Sequence, residues 1–153
     1  MPCIPCLLLL CSLVNPALVA DKPKIETFQG RVVPLADVLK KQGIELDPDV
    51  AKQWLALQTD GGKAYVLVKD AGARMFFRDP RLLNRPMRLQ GRFVGDSSLL
   101  QVLRVHSLKD GKPHEVFYWC DICTIKRHFL DEKGICDCCG GPMELREVAV
   151  DQK

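Results

Sequence analysis

Pro86-Met87-Arg88-Leu89-Gln90-Gly91-Arg92-Phe93-Val94 alternates cleanly: Met87, Leu89 and Phe93 fall on one face, Arg88, Gln90 and Arg92 on the other. A period of two belongs to a strand with one face against a core and the other in water, so this stretch predicts a half-buried β-strand. A Gly95-Asp96-Ser97 turn follows, and Leu99 to Leu108 is apolar at positions of both parities. That suits a more deeply buried hairpin partner.

Upstream the same pattern repeats. Thr59-Asp60-Gly61-Gly62 separates Trp54–Leu57 from Lys63–Val68, and an Asp-Gly turn between two apolar runs is a strong hairpin signal. Lys24 to Leu35 reads as a first strand with Phe28 and Val32 as apolar positions and Gly30 as a bulge or bend. Ala36 to Gln42 has good helix formers and stops at Gly43. Five short strands with one helix-capable break predict a mainly β fold, a small five-stranded barrel over residues 24–116 followed by a knuckle over 117–150. With glycines in the strands around Gly30 and Gly91, the barrel resembles the OB-fold, a five-stranded Greek-key barrel, and an SH3-like barrel fits nearly as well.

The cysteines set the chemistry. In a chain of 153 residues, Cys3, Cys6 and Cys11 stand at the N-terminus, the other five crowd into positions 120–139, and none lies between 12 and 119. A disulfide framework scatters its half-cystines to close long loops, whereas a metal site gathers them in close pairs. Cys120-Asp121-Ile122-Cys123 and Cys136-Asp137-Cys138-Cys139 are two such pairs, twelve residues apart. Each two-residue gap lets one turn present two sulfurs to one ion, and two turns complete a tetrahedral zinc shell with bonds near ~2.3 Å. The expected ligands of one structural zinc are Cys120, Cys123, Cys136 and Cys139. Cys138 competes for the fourth place, but Gly140 and Gly141 after Cys139 let backbone amides approach its sulfur. Closing the same pairs as disulfides in an oxidising compartment would make small, strained rings.

Tyr118-x-Cys120-x-x-Cys123, Gly134-Ile135-Cys136-x-x-Cys139-Gly140 and Pro142-Met143-Glu144-Leu145 resemble the short heavy-metal-binding domain attached to bacterial copper efflux proteins and metal-pumping ATPases. The likeness spans about thirty residues and implies a metal-binding tail. In that family the first pair usually reads Cys-Pro-Met-His-Pro and the second is followed directly by Gly-Met. Here Cys123 stands in place of the histidine, and Gly140-Gly141-Pro142-Met143 follows the second pair. A more thiolate-rich shell suits zinc or another soft metal, and a generic zinc ribbon describes the segment equally well. Trp119-Cys120-Asp121-Ile122-Cys123 also resembles the redox motif of thioredoxin-like proteins, which would make Cys120 and Cys123 a thiol oxidoreductase pair. No βαβ pattern surrounds it. Neither pair is followed by His, which excludes covalent haem attachment.

Residues 4–20 carry no charge and include Leu7 to Leu10 and the small-residue run Pro16 to Ala20. They read as a secretion signal, residues 1–20, cut after Ala20, too short and interrupted for a stable membrane span. Export to the periplasm or medium is the expectation, and a retained N-terminus would mean the cytoplasm. The net charge of +3 names no partner. Arg74, Arg78, Arg81, Arg85, Arg88 and Arg92, with Phe76 and Phe77 among them, form a basic stretch that would serve nucleic acid if it lay on an exposed sheet, and a solvated surface otherwise. His128 lies between the cysteine pairs and can replace one of them. His106 and His114 have no partner spacing, and no nucleophile triad, phosphate loop or carboxylate pair is visible. The sequence therefore predicts a non-enzymatic module that binds an unidentified protein or small ligand.

Overall fold

The computed structural model describes residues 24–130 and 134–150. The expected secretion signal, with Cys3, Cys6 and Cys11, lies outside the described residues. Among the described residues one sheet holds eight strands: β1 (Glu26–Pro34), β2 (Leu55–Thr59), β3 (Ala64–Leu67), β4 (Pro86–Phe93), β5 (Leu99–Lys109), β6 (Lys112–Cys120), β7 (Ile125–Arg127) and β8 (Glu144–Ala149). Three short helices join them, α1 (Leu35–Lys40), α2 (Pro48–Ala51) and α3 (Arg74–Arg78), with a 3-10 turn at Pro80–Leu82. The sequence singled out only α1. The other two are single turns, too short to show a helical period. No helix among the described residues is long and apolar enough to cross a membrane.

The first five strands close on themselves. β1 pairs antiparallel with both β2 and β4, β2 with β3, and β4 with β5, and a short parallel contact of Val66 and Leu67 with Leu99 and Leu100 joins β3 to β5. This is the barrel-like ring, mainly β, that the alternation predicts. Its hinge is Gly30, the residue of β1 that faces both Met87 of β4 and Thr59 of β2. A Cβ there would sit 2.2 Å from the Gln58 carbonyl oxygen, so any side chain would force β1 and β2 apart. The bulge lies elsewhere, in β5, where Leu103 is the extra residue opposite the Gln90–Gly91 step of β4.

Inside the ring Val32, Leu57, Met87, Leu89 and Leu100 are fully buried, and α3 adds Met75 and Phe76. Phe28, Tyr65 and Phe93 meet edge to face with centroids 5.1–5.6 Å apart, the favoured geometry for aromatic pairs.

β6 carries the ring into the tail. Asp110 and Gly111 turn β5 into β6 with φ of 51° and 74°, the two positive values that a tight hairpin turn needs. β6 runs unbroken through residue 116 to Cys120, and its inward side chains Val116, Tyr118 and Cys120 are all fully buried. β7 and β8 both pair with β6, so ring and tail share one sheet.

Two buried polar contacts fix that junction. The Tyr118 hydroxyl donates to Asp79 Oδ2 at 2.9 Å, while Arg81 grips the same carboxylate through Nε and Nη2 at 2.8 and 2.7 Å. Glu147 of β8, 9% exposed, accepts Arg85 Nη2 at 2.6 Å and Lys109 Nζ at 2.7 Å. Burial pushes the Asp79 carboxyl up, but the bonds from Arg81 and Tyr118 and the Arg81 charge outweigh it and hold it below the ordinary range. A carboxyl depressed in the folded state stabilises fully above its unfolded pKa, about 3.9, and the contribution fades as pH falls below that value.

Tyr118→Phe removes one buried bond and is expected to cost about 1–2 kcal/mol in denaturant unfolding. Asp79→Asn is expected to flatten the fall in melting temperature below about pH 4. An acid slope as steep as that of the wild type would show that Asp79 does not link the two parts.

Candidate metal centre

Two tight hairpins bring the cysteines together. In the first, β6 ends at Cys120 and β7 begins at Ile125, and these two residues face each other across the turn. In the second, Ile135 bridges Pro142, the Cys136 amide donates to the Gly141 carbonyl at 2.8 Å, and the Gly140 amide to the Cys136 carbonyl at 2.8 Å. Each turn is closed by a left-handed residue directly after its second cysteine, Thr124 with φ 52° and Gly140 with φ 69°. Glycine adopts this conformation freely, whereas a β-branched residue does so under strain.

The backbone amides of Cys123 and Ile122 point at the Cys120 sulfur, and those of Cys139 and Cys138 at the Cys136 sulfur. The Gly141 amide donates to Cys139 Sγ at 3.4 Å. These dipoles stabilise thiolate. At Cys136 they win, and the thiol is pulled down to about 7. At Cys120 the amide of Cys123 also pulls down, but burial and the thiols of Cys139 and Cys136 outweigh it and the net direction is up. Cys123 is pushed up by the thiols of Cys138 and Cys139 and by burial.

The sulfurs of Cys120, Cys123, Cys136 and Cys139 all lie within 4.8 Å of one another, with Cys120 and Cys139 3.6 Å apart. Four bonds of ~2.3 Å in a tetrahedron place neighbouring sulfurs about 3.8 Å apart, so the cluster has the size a zinc-like ion requires. All five described cysteines are free thiols. The cluster has an inner and an outer half: Cys120 and Cys136 are buried, Cys123 is half-buried, and Cys139 and Cys138 are exposed. Four close sulfurs cannot all ionise alone, because each thiolate raises the next. A dication reverses that balance.

The histidines stay apart from the sulfurs. His128 reaches toward Glu115 at 4.0 Å, and His114 Nδ1 lies 3.0 Å from the Lys112 carbonyl. His106 lines a separate cleft with Arg104, Glu115 and His128. The arginine stretch is largely committed within the fold. Arg81 holds Asp79, Arg85 holds Glu147, and Arg92 donates to Gln101 at 2.8 Å. Phe76 is buried, and Phe77 packs against the core with Lys69 over its ring.

No family model matches the chain, and no curated protein or solved structure does. What the structure does bring together is a cluster of four cysteines in the C-terminal region, compatible with a metal-binding knuckle. Sequence reasoning passed over Thr124. Superimposing the two Cys-x-x-Cys turns finds it, because it occupies the place that Gly140 fills in the other.

Thr124→Gly is expected to stabilise the tail by up to about 1 kcal/mol, since relief of left-handed strain exceeds the added chain entropy. The change is read as tighter metal retention against a competing chelator. Weaker retention would contradict the strain argument.

Proposed function

We propose that residues 117–150 form a ribbon around one zinc ion held by Cys120, Cys123, Cys136 and Cys139, and that the chain is an exported binding or interaction module, not an enzyme. The observation that carries the metal reading is the convergence of the four sulfurs within 4.8 Å, with amide dipoles aimed at the inner pair. The resemblance to heavy-metal-binding domains supports it from the sequence side. A shell of four thiolates has no open position for substrate or water, so its role is to hold the fold.

The tail needs such a staple. Among the described residues of the tail the buried apolar side chains are Phe117, Tyr118, Cys120, Cys136 and Met143, with Ile125, Leu130 and Leu145 partly buried, a small core for two hairpins without a cross-link or metal. Export rests on the apolar run from Ile4 to Ala20. The partner is a protein or small ligand met through the OB-like ring or the tail. Nucleic acid is the weaker reading, because Arg81, Arg85 and Arg92 already serve internal partners and Phe76 is buried. Thiol-disulfide exchange is weaker still, because Cys120, the thiol that would attack, is fully buried at the end of a strand.

Removing metal from the reduced protein with a chelator is expected to abolish hydrogen-exchange protection in β7 and the 134–143 turn while β1–β5 keep theirs. Cys136→Ser is expected to do the same. Protection in the tail that survives metal loss would refute a structural metal. The intact mass of the chain recovered from its native cell is expected to begin at Asp21, and a retained N-terminus would refute export.

A further inference from the structure

A strand has two edges, and β5 and β7 share one edge of β6. β8 pairs with His114–Trp119 along the other edge, so β5, paired with residues 112–115, and β7, paired with residues 118–120, lie on the same side. Between them Val116 and Phe117 have no strand neighbour on that edge, and the sheet splits. The extra residue Leu103 bends β5 just beyond its last pair with β6, His106 with Glu115. A cleft of about 480 Å³ opens there, lined by Leu103 to His106 of β5, Glu115 of β6, His128 just after β7, and Met75 and Val150. That volume lies in the range of small-molecule sites.

The lining is apolar and positive at once. Leu103 and Val150 are 41% and 39% exposed. Glu115, the one carboxylate in the lining, already holds Lys126 Nζ at 2.6 Å. Arg104 is exposed in the lining, and Arg88 of β4 stands opposite His106. Neither arginine takes part in an ion pair among the described residues. Arg88 Nε and His106 Nδ1 are moreover buried without a hydrogen-bond partner, a polar demand that the chain itself does not meet. His106, Glu115 and His128 do not converge as metal ligands. Among the described residues only the four cysteines do.

We propose that this cleft binds a small organic anion, a carboxylate with a short apolar body, its head on Arg104 and its body along Leu103 and Val150. The inference rests on the reading of the chain as a binding module and names the site and the ligand class. It is independent of the metal. A carboxylate offers two oxygens to a guanidinium in a paired geometry, and Glu115 beside them opposes a doubly charged head.

The test titrates octanoate into the full, reduced chain and follows the backbone amides by NMR. Octanoate is expected to shift the amides of residues 103–106 and 115 saturably. Octanamide, its neutral counterpart, and acetate, the head without the body, are expected to bind at least about tenfold more weakly. Arg104→Gln is expected to weaken octanoate about tenfold and Leu103→Ser about fivefold, both at exposed positions that leave the fold intact. Lys63→Gln, which removes a positive charge outside the cleft, is expected to change nothing. Cleft amides that octanoate leaves unmoved would overturn the proposal, and so would equal binding of octanamide or unweakened binding to Arg104→Gln. Saturable shifts confined to another surface would strike the cleft and leave the binding-module reading standing. Cleft binding followed by chemical conversion of the octanoate, read in its own spectrum, would do the reverse.

Discussion

Four sulfurs held within 4.8 Å of one another are a constraint that the chain cannot satisfy by itself. Each is a potential anion, and their mutual repulsion opposes ionisation of more than one. The fold answers partly with backbone dipoles, aimed at the two inner sulfurs and, through the Gly141 amide, at Cys139. The remaining demand is for positive charge at the centre. A divalent cation would meet that demand and supply the cross-link that a small tail lacks.

The position of the cluster follows from β6. Alternation along one strand puts Val116, Tyr118 and Cys120 on the same buried face, so that one strand ends in a cysteine of the cluster and also donates a hydrogen bond to the connection between β3 and β4. Asp79 receives that bond and is satisfied by Arg81 from the other side. β8 returns from the second knuckle along β6 and delivers Glu147 to Arg85 and Lys109. The tail is therefore tied to the ring through β6, which enters the first knuckle, and β8, which leaves the second. Loss of order at the sulfurs would propagate first into β7, which contacts the sheet through only three paired positions.

The ring was legible because its strands obey simple rules. Met87, Leu89 and Phe93 alternate with arginine and glutamine, and the Thr59–Gly62 turn separates two apolar runs, so both local pairings follow from period and turn chemistry. Gly30 was visible as a special position, but its reason was not: it is the crossing point of β1 with two partners, a tertiary fact. β6 was missed even though Asp110-Gly111 stands between two strand-like runs, because Lys112, Pro113, His114 and Glu115 dilute the apolar signal at its start. Its alternation emerges only at Val116. The four cysteines were legible from spacing alone. The outward place of Cys138 and the strained Thr124 were not, since both depend on how two short turns face each other. Asp79, a single acid among six arginines in the sequence, is the buried acceptor that organises one of them.

X-ray absorption at the metal edge of the purified, reduced protein tests the central claim most directly. The account predicts one zinc per chain surrounded by four sulfurs at about 2.3 Å and no nitrogen or oxygen neighbour. A protein without stoichiometric metal, in which Cys120 is bonded to Cys123 and Cys136 to Cys139, would contradict it.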